Sequence, residues 1–253
     1  MVGHYISPVP GVSWVLFSDD SSGPFAGNGN HIACVLNEVR KVFIDTFGEE
    51  SLALHPILSV VATFDCPMTM RKHHLIFLSS QERYYCQHIY QFAHELCHFM
   101  VPGEVCKSYR WFEEMLCEMM SWFALLKIAE RKTIAPIVEL LPLYDTMEQY
   151  ISDCQSQRTK IEPQSLPVFV SEKLSYLRNN CYDRKINATI GYGIFPLFQT
   201  YPELWRIVLF LHTLTDSLPL QDALDRLLWA ADVVEPGRNQ FKQRISEQSL
   251  IVL

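Results

Sequence analysis

The sequence predicts an α+β protein, with a small sheet near the start of the chain and helices through most of the rest. Short segments rich in β-branched and aromatic residues occur before residue 80, whereas helical patterns interrupted by prolines fill the chain beyond residue 135. The length of 253 residues fits one large domain or two subdomains that share a cleft. We therefore expect an α/β subdomain at residues 1–103 and a helical subdomain at residues 104–253.

The composition excludes several classes of protein. With 49% hydrophobic and 19% charged residues, the chain has enough apolar material for a core and is not expected to be disordered. The formal net charge of -7 argues against binding to nucleic acid or to an anionic membrane, because both need a basic face. The start of the chain lacks a secretory pattern and its eight cysteines form no CxxC pair, which predicts a cytoplasmic protein with reduced thiols.

The first predicted elements are a strand, a helix and two further strands. Residues 13–17 have the composition of a strand, and residues 32–47 have the periodicity of an amphipathic helix that ends at Gly48. Residues 58–64 and 74–78 predict two strands joined by a proline-containing turn. The apolar positions that define the helix are Ile32, Val35, Leu36, Val39, Val42, Phe43 and Phe47.

Two long helices are predicted after these strands. Apolar periodicity places the first over residues 84–99, with Pro102 and Gly103 ending it, and the second over residues 109–131. Both are long enough to carry side chains to a shared site.

The first long helix contains the sequence His94-Glu95-Leu96-Cys97-His98. A helix advances about 100° per residue, so His94 and His98 lie on one face, one turn apart. Two imidazoles at this separation suit zinc. Glu95 is placed beside the open coordination position, where it can accept the proton of a water molecule. The sequence therefore predicts one zinc ion per chain, with Glu95 as the general base.

The second long helix offers acidic side chains for a third ligand. Glu113, Glu114 and Glu118 lie within about one and a half turns. Glu114 and Glu118 share one face of the helix, and the apolar residues beside them are expected to pack into the core from the other side. Carboxylates on a largely apolar helix are costly unless they are paired or bound to a metal. These residues are therefore the candidate ligands.

The segment 75–122 resembles the gluzincin zinc metallopeptidases of the thermolysin and aminopeptidase type, in which HExxH is followed by a helix that carries a glutamate ligand. The resemblance implies that Glu114, which follows Trp111 at the aminopeptidase spacing, is the third ligand. It also implies that Glu118 is the acid that orients the His94 ring. Glycine usually follows the ligand glutamate in that family, whereas Met115 stands there in this chain, and the aminopeptidase exopeptidase motif is missing.

Two alternatives for the third ligand remain open within this resemblance. The distance from His98 to Glu118 fits the thermolysin spacing, so Glu118 is a rival ligand. Glu113 is a weaker one.

The resemblance also implies a zincin-like fold and a substrate. In that fold the edge strand before the active-site helix binds an extended chain by strand addition, and Leu75, Ile76, Phe77 and Leu78 occupy that place in the sequence. A peptide or protein is thus the expected substrate. Hydrolysis would use a zinc-activated water, with Glu95 passing the proton to the leaving amine.

Other residues and functions complete these expectations. Tyr192 is the candidate donor to an oxyanion, and Cys97, rotated away from the histidine face, is interpreted as a buried thiol. A peptide deformylase also carries HExxH, but its cysteine ligand lies in an upstream Glu-Gly-Cys motif that residues 65–67 do not match. The alternative function is a zinc-binding but non-catalytic regulatory or interaction module.

Overall fold

The α+β fold combines a mixed sheet with a chain that is otherwise mainly helical. A computed structural model describes residues 5–8, 15–18, 29–53, 58–61, 66–80, 84–134, 143–156 and 158–246. Within these ranges no helix is long and apolar enough to cross a lipid bilayer. The helical content after residue 84 agrees with the prediction for the second part of the chain.

Five strands form the sheet in the order β1-β2-β3-β5-β4. Strands β2, β3 and β5 run parallel, and β1 and β4 pair antiparallel to their neighbours at the two ends. The strand bounds are Tyr5–Pro8 for β1, Val15–Ser18 for β2, Leu58–Val61 for β3, Met68–Met70 for β4 and Leu75–Leu78 for β5.

Three of these strands were predicted and two were not. β2, β3 and β5 fall on the segments predicted at 13–17, 58–64 and 74–78, of which residues 13–14 and 62–64 lie outside the described part of the chain. β4 has only three residues, too few for an alternating pattern, and β1 contains Ser7 and Pro8, of which proline is depleted in strands. The predicted turn between the second and third of these segments is wrong in part, because β4 occupies residues 68–70 and β3 and β5 run parallel.

Helix α1, Gly29–Phe47, confirms the predicted amphipathic helix, and a short helix α2, Glu49–Ala53, follows it. Gly48 ends α1 with a left-handed φ of 86°, which glycine adopts without steric cost, and its N–H donates to the Ile44 carbonyl at 2.8 Å. Every apolar position that defined the helix is buried: Ile32, Val35, Leu36, Val39, Val42, Phe43 and Phe47.

Both long predicted helices are confirmed, as α3 and α4, and further helices continue to residue 245. Their bounds are Tyr85–Met100 for α3, Arg110–Ile134 for α4, Tyr144–Ser156 for α5, Leu166–Leu177 for α6, Arg184–Thr200 for α7, Leu220–Ala230 for α8 and Gly237–Ile245 for α9. Short 3₁₀ segments lie at Arg71–His73, Lys107–Tyr109 and Pro163–Ser165, and a longer one at Pro202–Thr213.

The chain divides into two compact units. The first comprises Met1–Phe99 and Met120–Cys154, and the second comprises Met100–Met119 and Gln155–Leu253. The predicted division was a single cut after residue 103. The two units are instead interleaved along the sequence, because residues 120–154 group with the sheet-containing part.

Candidate metal centre

Helix α3 presents two histidines from one face, while its other residues from His88 to Met100 are buried. His94 and His98 are half-buried, and their ring centroids lie 5.0 Å apart with planes tilted by 67°. The neighbouring Leu96 and Cys97 are fully buried, as predicted for Cys97. Because α3 is anchored by its apolar face, both imidazoles are held one turn apart at the helix surface.

Glu95 lies between the two histidines in sequence and is 4% exposed. Its carboxylate oxygen Oε2 accepts a hydrogen bond from the Thr69 hydroxyl at 2.7 Å. The same hydroxyl lies 2.8 Å from the backbone carbonyl of Glu95. Thr69 belongs to β4, so the end strand of the sheet contacts the HExxH motif directly.

A second contact joins this part of the sheet to the end of α3. The Arg71 guanidinium donates through Nε to the His98 backbone carbonyl at 2.7 Å. The His74 ring packs edge-on against Phe99, with centroids 5.8 Å apart. An arginine at a helix C-terminus satisfies a carbonyl left without an intrahelical partner and complements the helix dipole.

The acidic side chains of α4 occupy different environments. Glu113 and Glu118 are each 5% exposed, and Glu114 is half-buried. Glu118 Oε2 lies 3.5 Å from Nη2 of Arg184 at the start of α7. Burial raises the pKa of the Cys181 thiol, and the negative charge of Glu114 raises that pKa further.

The structure brings a cysteine to the two histidines. One ligand atom from each of His94, His98 and Cys117 lies within 4.8 Å of the other two, so this group could hold a metal ion. Cys117 lies on α4 and is 1% exposed. Among the side chains that the structure describes, no other three His, Cys, Asp or Glu residues come this close together.

Cys117 was not among the ligands predicted from the sequence. Glu114 and Glu118 do not belong to the group of three, and their roles as third ligand stay predictions. A signal was nevertheless present in the sequence. Cys117 immediately precedes Glu118, the residue at the thermolysin distance from His98. It also follows Glu114 by three residues, so the two side chains lie on neighbouring parts of the same helix surface.

Two other predicted parts of the site, residues 75–78 and Tyr192, lie in described regions of the chain. The expectation that residues 75–78 form the edge strand is wrong, because β5 has β3 on one side and β4 on the other. The end strand is β4. Tyr192, the oxyanion candidate, lies on α7 with 42% of its surface exposed. The Arg158 guanidinium stacks on the Tyr192 ring, with its carbon Cζ 3.4 Å from the ring centroid. Its role in an oxyanion site stays a prediction.

Comparison with protein-family models, with curated proteins and with solved structures finds no significant match to this chain.

Proposed function

We propose that this protein is a zinc-dependent peptidase on a zincin-like fold, which resembles the gluzincins in its HExxH helix but has a cysteine in place of their glutamate ligand. One observation carries the proposal: the HExxH motif lies on an α-helix, and a third side chain with a metal-binding atom lies within 4.8 Å of both histidines. The buried carboxylate of Glu95 on the same helix supports a catalytic rather than a purely structural role.

The donor atoms of the group fit zinc. Two imidazole nitrogens and a cysteine sulfur are ligands that zinc accepts, and catalytic zinc sites have three protein ligands with a fourth position for water. In a tetrahedral site with bonds of about 2.0–2.3 Å, ligand atoms lie roughly 3.4–3.6 Å apart. The three ligand atoms lie within 4.8 Å of one another, so the separations exceed this spacing by at most about 1.4 Å. Cys117 is thus our first choice for the third ligand, ahead of Glu114 and Glu118.

Each residue of the site then has a defined task. When bound, zinc supplies a Lewis acid that polarises the scissile carbonyl and lowers the pKa of the attacking water. His94, His98 and Cys117 hold the ion. Glu95 accepts the proton of the water and donates it to the leaving amine, which is the role of a general base followed by a general acid.

The position of β4 supports a peptide as substrate. β4 is the last strand of the described sheet, and Thr69 in it contacts Glu95. An extended peptide can add to such a strand through backbone hydrogen bonds, which brings its scissile bond beside the HExxH helix. Met68–Met70, rather than residues 75–78, would then bind the substrate by strand addition.

The proposal is tested by metal content and by turnover of a mixed peptide library. We expect one zinc per chain in protein purified without added metal. Glu95→Gln should keep the zinc and the melting temperature and lose turnover, because it removes a base and no ligand. Glu148→Gln, at an exposed position on α5, is the matched control and should retain activity.

The results separate the proposed peptidase from the alternatives. Stoichiometric zinc without turnover on any peptide would indicate the non-catalytic zinc module. Absence of stoichiometric metal, even after zinc is supplied, would refute both. Replacing zinc by cobalt(II) tests the ligand set directly, because a coordinated thiolate gives a near-ultraviolet charge-transfer band that Cys117→Ser should abolish.

A further inference from the structure

We infer that Thr69 is a positioning residue for Glu95, holding one carboxylate oxygen so that the other faces the reacting water. The contact itself is independent of zinc, whereas its effect on catalysis rests on the proposed function. Within the described part of the chain, Thr69 is the one residue that hydrogen-bonds this carboxylate.

The hydroxyl of Thr69 has two acceptors and one proton. It lies 2.7 Å from Glu95 Oε2 and 2.8 Å from the Glu95 backbone carbonyl. Both distances are those of good O–H···O hydrogen bonds. A hydrogen bond to an ionised carboxylate is roughly twice as strong as one between neutral groups. The hydroxyl therefore donates chiefly to Oε2 while Glu95 is a carboxylate, and Oε1 is left for the proton of the water.

The sheet explains why a threonine can hold this position. Thr69 pairs with Ile76 of β5, and side chains of directly opposed residues lie on the same face of a sheet. Ile76 is fully buried, so this is a covered face. Met68 and Met70 alternate to the other face. Thr69 is thus a polar residue at an inward position, where the carboxylate of Glu95 is its partner.

The neighbouring residues limit the movement of this strand. Arg71 follows Thr69 by two residues and donates to the His98 carbonyl at 2.7 Å. The backbone on either side of the Thr69 contact is therefore tied both to β5 and to the end of α3. A hydroxyl on such a fixed strand restricts the rotation of the Glu95 side chain more than a hydroxyl on a mobile loop would.

The first test uses the metal-free protein and needs no activity. The fall in melting temperature caused by Thr69→Val is measured in the natural chain and again in a Glu95→Ala background. We expect a clearly larger fall in the natural chain, because only there does the hydroxyl lose a carboxylate partner. Equal falls in both backgrounds would mean that the hydroxyl serves the backbone carbonyl alone, and would overturn the inference.

The second test separates positioning from folding by kinetics on the zinc-loaded protein. Thr69→Val should lower kcat about 10- to 100-fold, the range typical of partners that orient groups at metal sites, with KM and zinc content unchanged. Thr69→Ser keeps the hydroxyl and should restore kcat to within a few-fold of the natural value. Thr46→Val, which removes a hydroxyl bonded to the Val42 carbonyl on α1, is the matched control.

The two tests fail in different ways. A natural chain that binds zinc but turns over no peptide refutes the proposed function, while the melting experiment still decides whether Thr69 holds Glu95. An active natural chain whose kcat is unchanged by Thr69→Val, or whose loss is not rescued by serine, refutes the positioning role and leaves the peptidase intact.

Discussion

Replacement of Glu38 by glutamine should destabilise the protein more than any exposed charge substitution. Glu38 on α1 is 2% exposed and accepts hydrogen bonds from Arg131 Nη1 and Lys41 Nζ, each at 2.5 Å. Arg131 lies near the end of α4 and also reaches Asp45 at 3.2 Å. The ion pair thus joins α1 to the last turns of α4 within one compact unit.

The expected loss follows from the exposure of the partners. Breaking a buried ion pair costs about 3–5 kcal/mol when a charge is left buried and unpaired. Here the Arg131 side chain is 23% exposed and the Lys41 side chain 47% exposed, so both cations can be partly resolvated. We therefore expect Glu38→Gln to lower the free energy of unfolding by about 2 kcal/mol, and the melting temperature by about 4–8 °C.

A matched pair makes this measurement decisive. Glu130 on α4 forms an ion pair with Lys127 at 2.8 Å, with the same three-residue spacing as Glu38 and Lys41. In this pair, however, the side chains of both partners are exposed. Glu130→Gln should change stability by less than about 1 kcal/mol. Both variants are compared by calorimetry and by urea unfolding. If Glu38→Gln lowers the free energy of unfolding no more than Glu130→Gln does, burial of the Glu38 ion pair does not add to the stability of the protein.

Two further predictions concern the metal ligands and the response to acid. In a competition with a chelator, Cys117→Ala should weaken zinc binding more than Glu114→Ala or Glu118→Ala does, and the opposite order would favour a glutamate ligand. Asp216 has a pKa lowered from 3.8, chiefly because the Ser108 backbone N–H donates to its carboxylate at 2.7 Å. Its stabilising contribution is therefore present above about pH 4 and lost as the pH falls below that value. A pH series of melting temperatures should show the difference between the natural chain and Asp216→Asn shrinking in that range, and a constant difference would contradict this.

The helices and the HExxH motif could be predicted from the sequence because their signals are local. The buried positions of α1 from Ile32 to Phe47 recur with the period of the helix, and Gly48 marks its end within the same stretch. His94, Glu95 and His98 lie within five residues, so the geometry of the helix alone sets their separation. Neither inference needs to know which segments meet in the folded chain.

The strand order, the third metal-binding side chain and the partner of Glu95 were decided only by the tertiary structure. β4 has three residues and no readable pattern, yet its pairing with β5 makes it the end strand. Thr69 and Glu95 are 26 residues apart in sequence, and Cys117 follows His98 by 19. On α4 the local pattern offers Glu114, Cys117 and Glu118 on neighbouring parts of one surface, and spacing does not rank them. Which atom reaches the histidines depends on the relative placement of distant segments, and the packing of the folded chain determines that placement.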